Sequence, residues 1–271
     1  MIKPKMDISI PVYLKEKESF NREEKNGIYS LMLRDHPELG YVKINQMTMD
    51  IIEMCNGSCS VQEIVHHIQN TYDVPRKAKV YEDIDGTMHL MWRLGLIRFK
   101  SCNYLLEKYQ MSKRGYTYIY MQKEDALEFN FIECPVMLRS AYIDIITDYI
   151  PQAISIRWLG CYESYFKVLF KNEEVFRVAV RLNRYIKGYE ITLLYISKPN
   201  NLVEICSELF RFIDYMYKNT FSVDISTGER PVFHFYSFEN EFKEMGFLLK
   251  GELKHEINNR SVFLFEYQIN N

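Results

Sequence analysis

Residues 189–219 read "YEITLLYISKPNNLVEICSELFRFIDYMYKN". Residues 189–197 form a nearly continuous apolar run, which is typical of a buried strand. The next residues carry an apolar stripe at helical spacing: Leu202, Ile205, Cys206, Leu209, Phe212, Ile213 and Met216. The stretch therefore predicts a buried strand that leads directly into a long amphipathic helix. Such a junction can hold a phosphate, because the first amides of a helix have no partners within it, but residues 197–201 contain no glycine.

The segments on either side of this stretch predict a mixed sheet. An alternating run at 163–183 is interrupted by Lys171-Asn172, and paired turn residues of this kind connect the strands of a hairpin. The other predicted elements are a strand at 116–122, a helix at 134–150, a strand at 231–237, a short helix at 238–246 and two closing strands that meet at Asn258-Asn259. This order is that of an α+β sheet domain.

The first hundred residues predict a smaller module. Ser60 and Glu63 form a capping-box pattern, which marks the start of its second helix because each can satisfy a free amide of the other. The predicted elements are two or three strands within 7–44, helices at about 45–55, at 60–72 and from Pro75 to Leu94, and a strand at 96–99. This is the order of a winged-helix-like module over 1–100. Residues 101–115 are expected to link it to a second domain at 116–271, although they can also contribute a strand.

The composition excludes several classes of function. The chain has 34 Lys and Arg against 36 Asp and Glu, a formal net charge of -2, and no basic run, which argues against nucleic acid as a partner. Its apolar runs are shorter than the roughly 20 residues that span a bilayer, so we expect a cytoplasmic protein that does not bind membranes. Cys55 and Cys59 are the closest pair of cysteines, and without a second pair they predict reduced thiols and no metal site.

Residues 43–97 resemble the PqqD-like family, the peptide-recognition elements of pathways that modify ribosomally made peptides. The resemblance extends over about residues 7–100. Its matching positions are Ile44-Asn45, Glu53, Asn56-Gly57, Ser60-Val61, Glu63-Ile64, Tyr72, Val80, Asp83 and the run Leu94-Gly95-Leu96-Ile97.

The resemblance implies that this module binds the leader of a precursor peptide as an added strand, between a sheet edge and the third helix. Main-chain hydrogen bonds would give affinity and side-chain pockets would set the register. Carried onto this chain, the edge is formed by Leu39, Tyr41, Val42 and Lys43. From the phase of the third helix, the facing wall is formed by Asp83, Ile84, Thr87 and Met91.

The same order of elements also occurs in winged helices that bind DNA, in which the third helix reads the bases. Here that helix follows Arg76, Lys77 and Lys79 with Glu82, Asp83 and Asp85. Carboxylates in these positions would repel DNA phosphates. The charge pattern therefore favours a peptide over DNA.

Residues 239–269, "ENEFKEMGFLLKGELKHEINNRSVFLFEYQI", resemble the end of the GNAT acyltransferase fold, especially its ribosomal-protein N-acetyltransferase branch. The matching features are Gly246-Phe247 after a short helix, the "GEL" turn-out, and a final aromatic strand. With the upstream strand order, the resemblance spans about 116–271. It implies that acyl-CoA binds where two parallel central strands splay apart, at 191–197 and 232–237. The implied cofactor-binding residues are Leu194, Tyr195, Ile196, Lys198, Asn200 and Asn201.

The chain departs from that family pattern at two positions. The phosphate-binding loop of the family carries two glycines, which let the backbone approach a pyrophosphate, and here Pro199 in the same loop has no amide hydrogen to offer. The family's proton-donating tyrosine, four residues before Gly-Phe, is Phe242. The residues that remain for catalysis are His234 as a base and Tyr195 and Tyr236 as proton donors.

Two functions of different classes follow from the sequence. In the first, the protein is an adaptor that binds a precursor peptide and presents it to a partner maturation enzyme, with no cofactor. In the second, it is an N-acyltransferase that uses acyl-CoA to modify the precursor. A winged-helix regulator with a sensing domain is a more distant alternative.

Overall fold

A computed structural model describes residues 5–24, 26–36, 39–72, 77–127, 136–139, 151–160, 162–183, 188–197, 201–220, 229–234, 239–257 and 260–268. The chain divides into two compact units, Met1–Glu107 and Lys108–Asn271. Both units mix α-helices and β-strands, so the expected α+β class is confirmed.

The described residues of unit 1 form three α-helices and two small antiparallel sheets. Its strands are β1 (Pro11–Tyr13), β2 (Glu18–Glu23), β3 (Ile28–Leu33), β4 (Tyr41–Asn45) and β5 (Ile97–Phe99). Strands β2, β3 and β4 form one sheet in that order, and β1 pairs with β5. The helices are α1 (Gln46–Met54), α2 (Val61–Thr71) and α3 (Lys77–Arg93).

Local sequence signals set the ends of these helices. Asn45 caps α1, since its side chain accepts a hydrogen bond from the Thr48 amide at 2.9 Å. Ser60 and Glu63 form the predicted capping box at the start of α2. Gly95 follows α3 with φ +68°, a left-handed conformation that favours glycine. The three predicted helices are therefore confirmed within two residues at each described end.

Unit 2 contains a six-stranded sheet and a three-stranded sheet. The large sheet has the order β6-β7-β9-β10-β11-β8, and the small sheet has the order β12-β14-β13. The strands are β6 (Gln110–Lys113), β7 (Tyr116–Tyr120), β8 (Val136–Arg139), β9 (Glu163–Phe170), β10 (Glu173–Asn183), β11 (Gly188–Ile196), β12 (Glu229–His234), β13 (Leu248–Ile257) and β14 (Arg260–Gln268). The helices are α4 (Lys123–Leu127), α5 (Pro151–Leu159), α6 (Leu202–Asn219) and α7 (Glu239–Glu244).

The stretch at 189–219 folds as predicted, with β11 followed by α6. All seven residues of the predicted apolar stripe of α6 are buried. The hairpin of β9 and β10 turns at Lys171 and Asn172, both of which have positive φ, as a two-residue hairpin turn requires.

Residues 101–115, expected to link the two domains or to contribute a strand, contain a short 3-10 helix (Tyr104–Lys108) and strand β6. Tyr104, Leu105 and Tyr109 are buried. A second segment differs from the sequence-based expectation. Of the helix expected at 134–150, the described part 136–139 is strand β8, and a helix lies later, at Pro151–Leu159.

Candidate functional site

The outer edge of β4 is the first candidate binding surface. Strand β4 pairs antiparallel with β3, from Ile28 opposite Asn45 to Met32 opposite Tyr41, and its other edge has no strand partner among the residues that the structure describes. Tyr41 is 62% exposed. A strand edge of this kind presents a row of backbone donors and acceptors that an extended peptide can pair with.

The start of β4 lies near the end of α3. The buried ring of His36, between β3 and β4, is 3.1 Å through Nε2 from the carbonyl oxygen of Leu94, the residue after α3. The Leu39 amide in turn donates to the His36 carbonyl at 3.1 Å. Through this pair of contacts, Leu39 is held close to the last turn of α3.

The wall that α3 presents is partly the one predicted. Asp83 is exposed and Thr87 is half-buried, with its hydroxyl donating to the Asp83 carbonyl at 2.8 Å. Ile84 and Met91, also predicted as contacts, lie in the core. The helix-phase prediction placed the face about one position away from the exposed stripe, which is Lys79, Glu82, Asp83, Gly86 and Leu90.

Charged and apolar side chains both lie on the exposed surfaces of β4 and α3. Lys43 on β4 pairs with Glu24 at 3.6 Å and its side chain is 66% exposed. Val42 is half-buried, Leu39 is 39% exposed and Leu90 is 54% exposed. The predicted edge residues are thus all at least partly accessible to a ligand.

The second candidate site is at β11 in unit 2. Leu193 pairs with Ala179 and Ile191 pairs with Val180, so Thr192 is the extra residue of a β-bulge. Strand β12 approaches β11 within 8 Å, but the two are not hydrogen-bonded neighbours in the described sheets. The sequence resemblance placed the acyl donor between these two strands.

A strand of the chain itself lies on the edge of β11 at that place. Strand β8 pairs antiparallel with the second half of β11, with Leu194 opposite Leu138, Tyr195 opposite Met137 and Ile196 opposite Val136. These three β11 residues are the ones predicted to bind the cofactor. Their backbone edge is therefore occupied by β8.

The junction between β11 and α6 carries carboxylates. Asn201 precedes α6 in the left-handed conformation, φ 61°, and within the described residues its side chain does not cap the helix. Lys198 and Asn200, the other predicted phosphate ligands, lie outside the described residues. Glu204, in the first turn of α6, is ion-paired with Arg114.

A cavity of about 990 Å³ adjoins this junction. Its charged lining includes Glu204, Glu208 and Glu244, together with Arg114 and Arg211. Glu208, which is nearly buried, is 2.7 Å from Lys113 Nζ and 3.2 Å from Arg211 Nη1. Glu204 and Glu208 are thus paired with Arg114, Lys113 and Arg211, and the described lining does not present the excess positive charge that a pyrophosphate needs. The described residues of this cavity therefore do not fit the CoA pyrophosphate that the resemblance implies.

Two of the predicted catalytic residues lie in described strands, Tyr195 in β11 and His234 in β12. His234 ends β12 opposite Phe263, and Tyr236 lies outside the described residues. Tyr195 is half-buried, with the Arg177 guanidinium 5.9 Å from its ring centre.

Phe242, at the position of the family's proton donor, belongs to the apolar core. It is fully buried and stacks on Phe265 with ring centres 4.6 Å apart. It also contacts Phe247 edge-on at 5.4 Å. Phe242, which stands where the family has a tyrosine, therefore packs in the core of unit 2.

A buried charged cluster that the sequence analysis missed lies next to the bulge. Glu163 is fully buried and accepts hydrogen bonds from Arg157 Nε at 2.7 Å, from the Tyr165 hydroxyl at 2.7 Å and from the Thr192 hydroxyl at 2.8 Å. Arg181 Nη2 is 3.6 Å away. Burial acts against the charged guanidinium of Arg157, but the Glu163 carboxylate outweighs it, so the pKa of Arg157 is raised. The signal in the sequence that could have revealed this cluster was Glu163 at the start of the largely apolar strand β9.

Comparison with known proteins gives one family match. Residues 32–97 match the family model described as Coenzyme PQQ synthesis protein D (PqqD), which confirms the PqqD-like resemblance for that segment. No curated protein matches the chain. The match covers one segment of unit 1.

Acetyltransferases are among the solved structures that are similar to this chain. One is the ribosomal-protein-S5-alanine acetyltransferase of Vibrio fischeri, at 14% identity, covering 60% of this chain and 97% of the other with a TM-score of 0.39. Another is a variant of the spermidine N-acetyltransferase SpeG of Vibrio cholerae, at 13% identity, 58% and 95% coverage and a TM-score of 0.40.

The described residues show neither a metal-binding group nor a membrane-spanning helix. No group of three or more His, Cys, Asp or Glu side chains there is placed to hold a metal ion. No helix in the described part of the chain is both long and apolar enough to cross a membrane.

Proposed function

We propose that this protein is an adaptor that binds the leader of a ribosomally made precursor peptide along β4. In this proposal, unit 1 works as a winged-helix-like peptide-binding module, and unit 2 holds the core of the peptide or presents it to a maturation enzyme. The observation that carries the proposal is the edge of β4 that has no strand partner among the described residues, and the PqqD match over 32–97 supports it.

The peptide would bind by adding a strand to the sheet β2-β3-β4. Its backbone would pair with β4 over Tyr41–Asn45, and alternate side chains would point toward α3. Leu39 and Leu90 supply apolar contact surface on the two sides of this groove. Exposed Glu82 and Asp83 on α3 disfavour nucleic acid in the same place, because phosphates would meet carboxylates.

Tethering explains how unit 2 can act without a strong site of its own. A leader bound to unit 1 holds the attached core at an effective concentration in the millimolar range when the connection is short and flexible. At that concentration, a weak contact is sufficient for the core to bind unit 2 or a partner enzyme.

The experiment measures fluorescence anisotropy of the full chain with synthetic leader peptides from small open reading frames next to its gene. The binding peptide is then made in two N-methylated forms that cover alternate residues. Because only every second amide of an added strand faces its neighbour, we expect one form to lose at least tenfold in affinity and the other to keep most of it.

Two variants locate the binding surface. Leu90→Glu should weaken binding at least tenfold, because it replaces the exposed apolar side chain of α3 with a charge. Leu106→Glu is the matched control, since Leu106 is 46% exposed elsewhere in unit 1, and it should bind as the native chain does. Equal affinities for the two N-methylated forms, or no binding of any peptide at 100 µM, would refute the proposal.

A further inference from the structure

Residues 193–196 of β11 are covered on both edges. On one side β10 pairs with them, from Ala179 opposite Leu193 to Phe176 opposite Ile196. On the other side β8 pairs with the same four residues, with Arg139 opposite Leu193. This part of β11 is therefore a central strand, and neither of its edges is open.

On each side of a strand, the backbone N–H and C=O groups can pair with only one neighbouring strand or ligand. Each residue of a strand directs its N–H and C=O to one neighbour, and successive residues alternate between the two neighbours. The groups of Leu193–Ile196 that point away from β10 are those that face β8. An extended ligand such as the pantetheine arm of CoA cannot pair with them while β8 is in place.

Strand β8 reaches β11 from a distant part of the chain. β8 lies between α4 and α5, far from β11 in sequence, yet it pairs at the bulged strand directly after Thr192. Strand β12, which approaches β11, belongs to a different sheet. The chain's own backbone thus covers the edge of β11 at residues 193–196.

The charges at the end of β11 agree with a closed site. The first turns of α6 carry Glu204 and Glu208, each already ion-paired with a base. A pyrophosphate would compete with these carboxylates for the same cations.

We infer that β8 is the built-in occupant of the β11 edge and that it closes unit 2 to acyl-CoA. Unit 2 therefore works without this donor, although the resemblance of its sequence implies one. The inference concerns unit 2 alone and does not depend on whether unit 1 binds a leader peptide.

Hydrogen–deuterium exchange with single-amide resolution tests the pairing directly. In the native chain we expect alternate amides of β8 and of residues 193–196 to be protected, and 1 mM acetyl-CoA to leave that protection unchanged. Calorimetry with acetyl-CoA up to 1 mM should show no binding. A dissociation constant below 1 mM, or unprotected β8 amides, would overturn the inference.

A pair of variants separates the backbone of β8 from its side chains. Met137→Pro with Leu138→Pro removes two successive amides, so at least one of them faces β11. It should speed exchange at alternate amides of residues 193–196 at least tenfold. Met137→Ala with Leu138→Ala keeps both amides and should change exchange less than threefold. If the proline pair leaves β11 unchanged, β8 does not cover that edge; if it fails to fold, the exchange pattern of the native chain decides.

Discussion

Replacing Glu163 by glutamine should destabilise unit 2 strongly, because it removes a fully buried negative charge that two arginines face. Glu163 accepts hydrogen bonds from Arg157, Tyr165 and Thr192 at 2.7–2.8 Å and lies 3.6 Å from Arg181. Glutamine has nearly the same size, so the change tests the charge and the acceptors and leaves the packing volume almost intact. It also loosens the contact that holds the bulge at Thr192.

The expected loss follows from the burial of the partners. Removing one partner of a buried ion pair costs about 3–5 kcal/mol, since the other charge stays in the interior without compensation. Arg157 and Arg181 are 17% and 32% exposed and so keep some contact with water. We therefore expect a value near the lower limit, about 3 kcal/mol.

The matched control is Glu174→Gln on the neighbouring strand β10. Glu174 makes two hydrogen bonds of 2.7 Å to Arg177, but both side chains are 20–23% exposed. A pair that reaches solvent contributes about 0–1 kcal/mol. The difference between the two variants isolates the effect of burial.

The assay is urea unfolding followed by tryptophan fluorescence in a Trp92→Phe background. Trp158 is then the remaining tryptophan of the chain, and it is fully buried in unit 2 with its indole N–H donating to Met121. The signal therefore reports unit 2 without a contribution from unit 1. If Glu163→Gln and Glu174→Gln lower the free energy of unfolding by the same amount, the buried cluster does not stabilise the sheet as argued.

The remaining predictions concern a turn and the thiols. Asn201→Ala should cost about 1 kcal/mol in the same fluorescence assay, because alanine is strained at φ 61°, whereas Asn201→Gly should cost nothing; equal losses would contradict this. At pH 8, iodoacetamide should modify the half-buried Cys59 and Cys102 in the folded chain and reach the buried Cys55 and Cys206 only in urea, as peptide mass spectrometry can show. Burial, with a smaller contribution from Cys59, raises the pKa of Cys55 from 9.0 to about 12, so the stability that the neutral thiol gives is complete below pH 9 and is lost as the pH rises toward 12. Cys55→Ala should remove that loss, and an unchanged pH dependence would contradict it.

Much of unit 1 could be read from the sequence because its signals are local. The capping box at Ser60 and Glu63, and the stop at Gly95, each act within one or two turns of helix. The phase of α3 was harder to predict, and Ile84 and Met91 proved to be core residues. The apolar residues of α3 are compatible with more than one buried face, and its packing on α2 and β5 decides between them.

Unit 2 shows the same division between local and distant information. The sequence by itself determined β11, the stripe of α6 and the β9–β10 hairpin, because periodicity and turn residues at one place in the chain specify them. The tertiary structure alone decided that β8 is a strand on the edge of β11 and that Glu163 meets Arg157, Arg181 and Thr192. Strand pairing and buried ion pairs join residues that are far apart in sequence, and no local pattern records which partners will meet when the sheet closes.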